Sequence, residues 1–126
     1  MTKFKDSVIK AVRSVPKGKV ASYGQIATMI GAPRAAIQVG WVLHLCGDDG
    51  ITPWWRIINK EGYISTKCPK HTPNIQKKLL EKDGVVVNKE HRVDMKKYRY
   101  LPNYSILKKL EMKDEDICNF LEKYSI

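Results

Sequence analysis

Two short helical patterns joined by a glycine-containing turn constrain the fold of this chain most strongly. The first begins at Ser22, which together with Gln25 has the spacing of a capping box, where a hydroxyl and an amide satisfy backbone N–H groups. It covers about residues 23–30, and Gly31 supplies the left-handed conformation that commonly ends a helix. Pro33 suits the first turn of a second helix, which bears Ile37, Val39, Trp41, Val42 and Leu45. The segment is therefore predicted to form a helix-turn-helix.

The rest of the first half predicts one more helix and a small β element. Apolar residues at helical spacing precede the motif, namely Phe4, Val8, Ile9, Val12 and Val15. After the motif, residues 51–58 are predicted to form a loop that enters a short strand, because Pro53 excludes a regular central strand. Residues 63–65 are predicted to return as a second strand.

The second half is predicted to be helical for most of its length. A helix is expected to start at Thr72 and to end at Gly84, before an apolar, extended run at residues 85–87. From about Lys96 onward, apolar residues again recur at helical intervals. We therefore expect a mainly α fold with a small β element, organised as a domain at 1–91 and a helical extension at 92–126 that packs on it.

Composition excludes several classes of protein and suggests a partner. The chain has 126 residues, of which 43% are apolar, which suffices for one core but not for a multidomain enzyme. Its 23 Lys and Arg against 13 Asp and Glu give a formal net charge of +10. An excess of this kind favours polyanions such as nucleic acid or an acidic membrane surface. The alternative is that the charge serves only solubility.

The cysteines and histidines do not predict a metal site or a disulfide framework. The three cysteines are far apart and the three histidines are scattered, without the spacing of a zinc site: Cys46, Cys68, Cys118, His44, His71 and His91. Each histidine is expected to be a surface or packing residue. No apolar run approaches the roughly 18 residues that cross a bilayer, and no secretory signal is apparent. We expect a soluble, intracellular protein without metal or cofactor.

Two motifs together carry a family resemblance. They are VASYGQIA at residues 20–27, continuing to GAPRAAIQVG at 31–40, and PWWRIIN at 53–59. Their order and spacing over about residues 4–88 resemble the winged helix-turn-helix-like C-terminal, DNA-binding domain of O6-alkylguanine-DNA alkyltransferases. In that family the second motif reads Pro-Cys-His-Arg, where the Cys accepts the alkyl group and the His activates it through water. Trp54 and Trp55 stand at those positions, and a Trp in place of the Cys resembles the alkyltransferase-like proteins, whose usual sequence is Pro-Trp-His-Arg.

The chemistry of position 54 agrees with a protein that has no catalytic residue. Dealkylation of a purine ether requires a soft nucleophile, normally a thiolate of lowered pKa, and an indole is neither nucleophilic nor titratable at neutral pH. Cys68, beside Lys67 and Lys70, is the one cysteine that could act instead. A residual alkyltransferase that uses Cys68 is therefore one alternative.

The resemblance implies how the helix-turn-helix meets DNA. Its second helix, at about residues 33–46, would enter the minor groove, and Tyr23 would press on the phosphate 3′ to the lesion and help to rotate the nucleotide out. Ile37 stands where the family has an arginine that fills the vacated base stack. The implied DNA-binding residues are Tyr23, Arg34, Ala35, Ala36, Ile37, Gln38 and Gly40.

Each of these positions also has a purely structural interpretation. The small residues Ala35, Ala36 and Gly40 permit close approach to a groove only about 6 Å wide, or simply close helix packing. Ile37 is either an apolar wedge at a minor-groove step or a core residue of a shifted helix, with Arg34 or Gln38 reaching the gap instead. The alternative for Tyr23 is a residue at the edge of the core.

The resemblance also implies a pocket for the alkylated base. Trp54 would offer an aromatic surface to the alkyl group, and Arg56 and Asn59 would fix the local structure. Ser65 and Lys67 correspond to the binding loop, where Lys67 would be a hydrogen-bond donor or an ordinary exposed lysine. Further lesion-pocket residues are Tyr23 and Arg56. In the structural alternative the two tryptophans are core anchors, with one ring inward and one toward the cleft, and Asp83 is only a helix-end charge.

The expected function is the non-enzymatic recognition of O6-alkylguanine in double-stranded DNA by nucleotide flipping. The resemblance further implies that nucleotide excision repair proteins are recruited to the lesion. A monomer is expected, without a membrane partner, in the cytoplasm or in the nucleus of a eukaryotic cell. Besides the residual alkyltransferase, the remaining alternative is a generic winged-helix DNA-binding regulator, which would not distinguish alkylated from plain duplex.

Overall fold

The computed structural model describes residues 3–46, 49–64 and 71–124, and these form seven short helices, a 3-10 turn and a two-stranded parallel sheet. The elements occur in the order α1 Lys3–Arg13, β1 Ala21–Ser22, α2 Tyr23–Met29, α3 Ala36–Cys46, a 3-10 turn Trp54–Arg56, β2 Ile57–Ile58, α4 Pro73–Lys82, α5 Met95–Tyr98, α6 Tyr104–Lys109 and α7 Asp114–Tyr124. The mainly α fold with a small β element is thus confirmed.

The helix-turn-helix forms as α2 and α3. Ser22 caps α2, because its hydroxyl accepts a hydrogen bond from the backbone N–H of Gln25 at 3.0 Å. Gly31 follows the helix with a φ of +79°, which an L side chain rarely adopts. The prediction for Pro33 is wrong: α3 begins three residues later, at Ala36.

The capping box is only half realised. The amide of Gln25 does not close the box but donates to the backbone carbonyl of Tyr100 at 2.6 Å. Its oxygen accepts a hydrogen bond from Arg99 at 3.2 Å. Gln25 is fully buried, so these two bonds satisfy a polar side chain inside the core. A tertiary contact thereby replaces the local one that the spacing suggested.

A β layer connects the helix-turn-helix to the tryptophan motif. Strand β1 pairs in parallel with β2, with Ala21 opposite Ile57 and Ser22 opposite Ile58. On its other side the chain near β1 pairs with the C-terminal part, because the N–H of Val20 donates to the carbonyl of Tyr98 at 2.8 Å. The start of α2 and the 3-10 turn are therefore held in register by a shared sheet.

The segment after β2 folds back by a tight turn. Gly62 has a φ of +92°, and a Cβ atom at this position would collide with the carbonyl oxygen of Val93. Tyr63 forms only an isolated antiparallel bridge with Arg92, so the predicted return strand is reduced to one bridge up to residue 64. Its last residue, Ser65, lies outside the described part of the chain.

Two groups of buried side chains form the interior. The larger one combines α1, α2, α3 and the C-terminal helices, and includes Val8, Val12, Ile26, Met29, Val39, Leu43, Leu107, Ile117 and Phe120. The smaller one lies under the sheet and α4, and includes Val20, Ile58, Leu80, Val85, Val87, Val93 and Tyr98. Residues 93–124 contribute to both groups. The division of the chain at residue 91 stays a prediction.

Candidate nucleic-acid interface and aromatic pocket

The two tryptophans of the second motif lie side by side in the 3-10 turn and anchor different parts of the interior. Their ring centroids are 6.0 Å apart and their planes are nearly perpendicular, at 88°. Trp54 packs on the larger core group and Trp55 on the smaller one. Both are partly buried, and the expectation of one ring inward and one toward the cleft stays a prediction. Both rings sit at the boundary between core and surface.

A histidine that the sequence did not single out covers one face of Trp54. The rings of Trp54 and His71 stack with centroids 3.9 Å apart at an angle of 23°. His71 is buried, with 4% of its surface exposed. A predicted packing role for this histidine agrees with its burial, but its position against Trp54 comes from tertiary contact alone. The stack holds the indole in one orientation.

Trp55, Arg56 and Asp83 form a hydrogen-bonded group beneath the turn. The indole N–H of Trp55 and the Nε of Arg56 both donate to Oδ2 of Asp83, at 2.9 and 2.7 Å. Nη1 of Arg56 also donates to the carbonyl of Val15 at 2.9 Å. All three nitrogens of the guanidinium thus donate within the protein, as expected for a residue that fixes the local structure. Asp83 is more than a helix-end charge.

The electrostatics of Asp83 agree with a structural role. Desolvation raises the pKa of its carboxyl, but hydrogen bonds from Arg56 and Trp55 and the charges of Arg56 and Lys17 leave that pKa below its ordinary value. The side chain is therefore ionised at neutral pH. An indole N–H cannot pass on a proton, so Trp55 and Asp83 do not form a proton relay.

The segment that enters the tryptophan motif is held by Asp49. Its carboxylate accepts hydrogen bonds from the backbone N–H groups of Ile51 and Thr52, at 2.9 and 2.7 Å, and from Arg13 of α1 at 2.8 Å. Hydrogen bonds from Thr52, Ile51 and Arg13 hold the pKa of the Asp49 carboxyl far below its usual range. These contacts connect the start of the motif to the first helix.

The other predicted pocket residues divide between a turn and the undescribed loop. The side-chain oxygen of Asn59 accepts hydrogen bonds from the N–H groups of Glu61 and Tyr63, at 3.0 and 2.9 Å, so this residue fixes the turn as expected. Ser65, Lys67 and Cys68 lie outside the described residues. Their roles stay predictions.

Tyr23 lies where the two helices of the motif cross. It is partly buried, and burial raises the pKa of its phenol. A Cβ atom placed on Gly40 would be 3.9 Å from Cε1 of its ring. This is an ordinary van der Waals distance, so the packing of α2 on α3 has room for a methyl group at position 40. Contacts of Tyr23 and Gly40 with DNA stay predictions.

The predicted DNA-binding residues in and just before α3 differ in exposure. Arg34, Ile37 and Gln38 are exposed, whereas Ala35 and Ala36 are partly buried, with Ala35 against the larger core group. Ile37 is 69% exposed, so its assignment to the core in a shifted helix is wrong. The exposed side contains no Asp or Glu between residues 31 and 46.

Two kinds of site are absent from the residues that the structure describes. No group of three or more His, Cys, Asp or Glu there could hold a metal ion. No helix within 3–46, 49–64 and 71–124 combines the length and the apolar character that crossing a bilayer requires.

Comparison with known proteins identifies relatives of this arrangement. Residues 3–85 match the family described as 6-O-methylguanine DNA methyltransferase, DNA binding domain. A DNA base-flipping protein of Escherichia coli is 36% identical over 97 residues, which are 77% of this chain and 74% of that protein. Alkyltransferase-like protein 1 of Schizosaccharomyces pombe is 34% identical, over 81% of this chain and 98% of that protein.

Solved structures show the same similarity in three dimensions. The crystal structure of S. pombe Atl1 in complex with damaged DNA containing O6-carboxymethylguanine matches with a TM-score of 0.75 at 34% identity. The match covers 81% of this chain and 98% of the Atl1 chain. The O6-methylguanine methyltransferase of Mycobacterium tuberculosis matches with a TM-score of 0.57 at 35% identity. That match covers 66% of this chain and 49% of the M. tuberculosis chain.

Proposed function

The chain belongs to the family of 6-O-methylguanine DNA methyltransferase DNA-binding domains, and on that premise we propose that it recognises O6-alkylguanine in double-stranded DNA without removing the alkyl group. The observation that carries this proposal is Trp54, which the His71 stack holds in the 3-10 turn, at the position where the resemblance implies the acceptor cysteine of the transferases. An aromatic face at this point can contact an alkylated base but cannot accept its alkyl group.

The same turn lacks the machinery that activates a nucleophile. By the same resemblance Trp55 stands at the position of the activating histidine, and its N–H donates to Asp83. The surrounding group therefore stabilises the turn instead of transferring protons. The names of the relatives, DNA base-flipping protein and alkyltransferase-like protein, agree with a protein that binds and does not react.

The helix-turn-helix supplies the contact with the duplex. Helix α3 would lie in the minor groove, and Tyr23, at the crossing of α2 and α3, would assist rotation of the alkylated nucleotide toward Trp54. Extrusion of a base costs a few kcal/mol and is least costly where pairing is already weakened. O6-alkylation weakens pairing with cytosine, so lesion preference arises partly from the DNA itself.

Binding to duplexes that differ by a single O6-methylguanine tests this function. We expect tighter binding to the alkylated duplex at fixed moderate salt. Trp54→Ala should reduce that preference about tenfold, because stacking of a base on an aromatic ring contributes about 1–3 kcal/mol. Trp54→Phe should retain part of the preference, and Tyr104→Ala, which removes an exposed aromatic ring of α6, should retain all of it.

Two results would contradict the proposal. Equal loss of affinity for both duplexes in Trp54→Ala would assign this ring to packing alone. A gain of one methyl group in the intact mass of the protein, after incubation with the alkylated duplex, would show a transferase. In that case Cys68→Ser should abolish the gain if Cys68 is the acceptor.

The remaining expectations are part of the same proposal. A lesion that is bound but chemically unchanged needs another activity for its removal, which supports recruitment of nucleotide excision repair proteins. We further propose that the protein acts as a monomer and occurs where the DNA is, in the cytoplasm or in a eukaryotic nucleus.

A further inference from the structure

A cavity of about 280 Å³ lies between α5, the segment that follows it and the C-terminal end of α7. Three cationic, two apolar and one aromatic residue line it: Lys96, Arg99, Lys123, Met95, Leu101 and Tyr124. None of the described residues that line the cavity is acidic. All six follow residue 85, where the family match ends, so the cavity lies outside the part of the chain that defines the family.

Arg99 is held in place by contacts within the protein. Its backbone forms a parallel bridge with Val20, next to β1, and its Nη1 donates to the side-chain oxygen of Gln25 at 3.2 Å. The guanidinium carbon lies 5.3 Å from the ring centroid of Tyr124. Because the side chain is already ordered, little conformational freedom is left to lose when a ligand binds. A planar guanidinium fixed in this way is suited to a carboxylate or a phosphate, which it can bind through two nitrogens.

The cations around this cavity are not neutralised by carboxylates. Nζ of Lys123 lies 5.3 Å from the centroid of the Tyr124 ring, as Arg99 does, so two positive charges flank one ring. In the part of the chain that the structure describes, no carboxylate forms an ion pair with Lys96, Arg99 or Lys123. Asp94 accepts a hydrogen bond from the backbone N–H of Lys96 at 3.0 Å. Like charges held close together raise the electrostatic free energy, and an anion in the cavity would lower it.

The apolar part of the lining favours a peptide over nucleic acid as the occupant. Leu101 is 50% exposed beside the cations, and Met95 and Tyr124 are partly buried. A DNA backbone presents phosphates and sugars to a protein. A peptide can place an acidic side chain on the cations and a neighbouring apolar one against Leu101. Arg, Met and Tyr are also enriched in protein interfaces, and arginines are a common means of recognising acidic motifs.

We propose that this cavity binds an acidic segment of a partner protein. An Asp or Glu carboxylate of that segment lies on Arg99 between Lys96 and Lys123, and an apolar neighbour packs against Leu101. The planar guanidinium and the apolar contact give this cavity a selectivity that the general net charge of +10 does not provide. The interaction goes beyond the proposed function and uses none of its residues, so each of the two can fail without the other.

The test uses a short synthetic peptide, labelled with fluorescein, in which acidic residues flank one leucine. Two reference peptides replace either the acidic residues by their amides or the leucine by serine. Fluorescence anisotropy measures the binding of each peptide to the unaltered protein and to Lys96→Glu, Lys123→Glu and Arg99→Lys. Lys78→Glu is the matched control, because Lys78 is exposed on α4 away from the cavity and its replacement changes the net charge equally. Thermal melting verifies that each variant is folded.

We expect the unaltered protein and Lys78→Glu to bind the acidic peptide alike. Lys96→Glu and Lys123→Glu should each weaken binding about tenfold, because an attraction becomes a repulsion. Arg99→Lys should also weaken binding, since it keeps the charge but loses the planar pair of donors. The amide peptide should not bind, and the serine peptide should bind more weakly than the leucine peptide. NMR shift changes during the titration should centre on Arg99, Leu101 and Tyr124.

Three results would overturn this assignment. If Lys96→Glu and Lys123→Glu lose no more affinity than Lys78→Glu, the peptide is attracted by general charge alone. If the amide peptide binds as well as the acidic one, the cations are not its ligands. If the two variants bind the peptide normally but lose affinity for plain duplex relative to Lys78→Glu, the occupant is the DNA backbone.

The outcome is separate from that of the proposed function. None of these measurements uses an alkylated base. A protein that does not distinguish alkylated from plain duplex, but binds the acidic peptide as expected, would overturn the proposed function and support the peptide site. Lesion preference without peptide binding would do the reverse.

Discussion

Asp83 is the acceptor that joins two residues of the tryptophan turn. With an indole at position 55, the carboxylate receives a fixed N–H donor in addition to the two nitrogens of Arg56. The Arg56 and Asp83 side chains are 15% and 8% exposed, so water screens their ion pair only weakly. In this chain the carboxylate is therefore a support for the turn that carries Trp54.

We expect Asp83→Asn to lower the free energy of unfolding by about 2 kcal/mol at neutral pH, because it leaves Arg56 without its charged partner. The folded-state pKa of Asp83 lies below its ordinary value, so its stabilisation is complete above about pH 4 and is lost as the pH falls through the folded-state pKa. The difference in unfolding free energy between the unaltered protein and Asp83→Asn should therefore shrink below about pH 4. Urea unfolding of both proteins over a pH series measures this difference.

The pH comparison needs a control because other carboxylates behave similarly. The pKa values of Asp49 and Asp114 are also lowered, but both proteins share these groups and their effects cancel in the difference. Glu90→Gln removes an exposed charge and should not change stability by more than about 0.5 kcal/mol. If the loss of unfolding free energy in Asp83→Asn stays constant down to pH 2, ionisation of Asp83 is not the cause of that loss.

At the scale of elements, helix α2 is held from two directions. Ser22 caps its first turn, and Gln25 connects its inner face to the C-terminal segment through Tyr100 and Arg99. Because Tyr23 lies between these two residues, both contacts fix the position from which it would meet a phosphate. The orientation of the helix-turn-helix thus depends on residues far beyond the motif.

We expect Gln25→Ala to destabilise the protein by about 2–3 kcal/mol, since it removes two hydrogen bonds and leaves a cavity in the core. Ser22→Ala should cost about 1 kcal/mol, the usual value for a lost helix cap. Gln38→Ala, at an exposed position of α3, should be nearly neutral. The comparison is made by urea unfolding, and a larger cost for Ser22→Ala than for Gln25→Ala would refute the tertiary role of Gln25.

At the scale of the whole molecule, the C-terminal helices complete the core on which the DNA-binding helices rest. Leu107, Met112, Ile117 and Phe120 are buried in the same group as residues of α1, α2 and α3. The family match ends at residue 85, so these side chains lie outside it. In this chain the residues after 100 therefore stabilise the binding surface without belonging to it.

We expect a chain that ends at Pro102 not to unfold cooperatively. The four buried side chains it lacks contribute about 1.5–3 kcal/mol each, which together is comparable with the whole stability of a small domain, about 5–15 kcal/mol. Thermal unfolding followed by circular dichroism tests this. A control chain ending at Tyr124 should melt like the full chain. A cooperative transition of the shorter chain at an unchanged melting temperature would show that the extension is dispensable for folding.

The sequence by itself determined the local elements and the chemistry of the central position. Ser22, Gly31, Thr72 and Gly84 predicted where α2 and α4 begin and end, because caps and left-handed turns depend on neighbours within a few residues. The indole at Trp54 excluded alkyl transfer to that position from residue identity alone. Local geometry and covalent chemistry need no knowledge of the fold.

The tertiary structure alone decided which distant groups meet. Gln25 bonds to Tyr100 across 75 positions, and Trp55 bonds to Asp83 across 28. Likewise, His71 on Trp54 and the exposure of Ile37 follow from how α3, the 3-10 turn and α4 are packed. A periodic pattern shows that a helix has an apolar side, but when both sides are apolar only packing decides which one is buried.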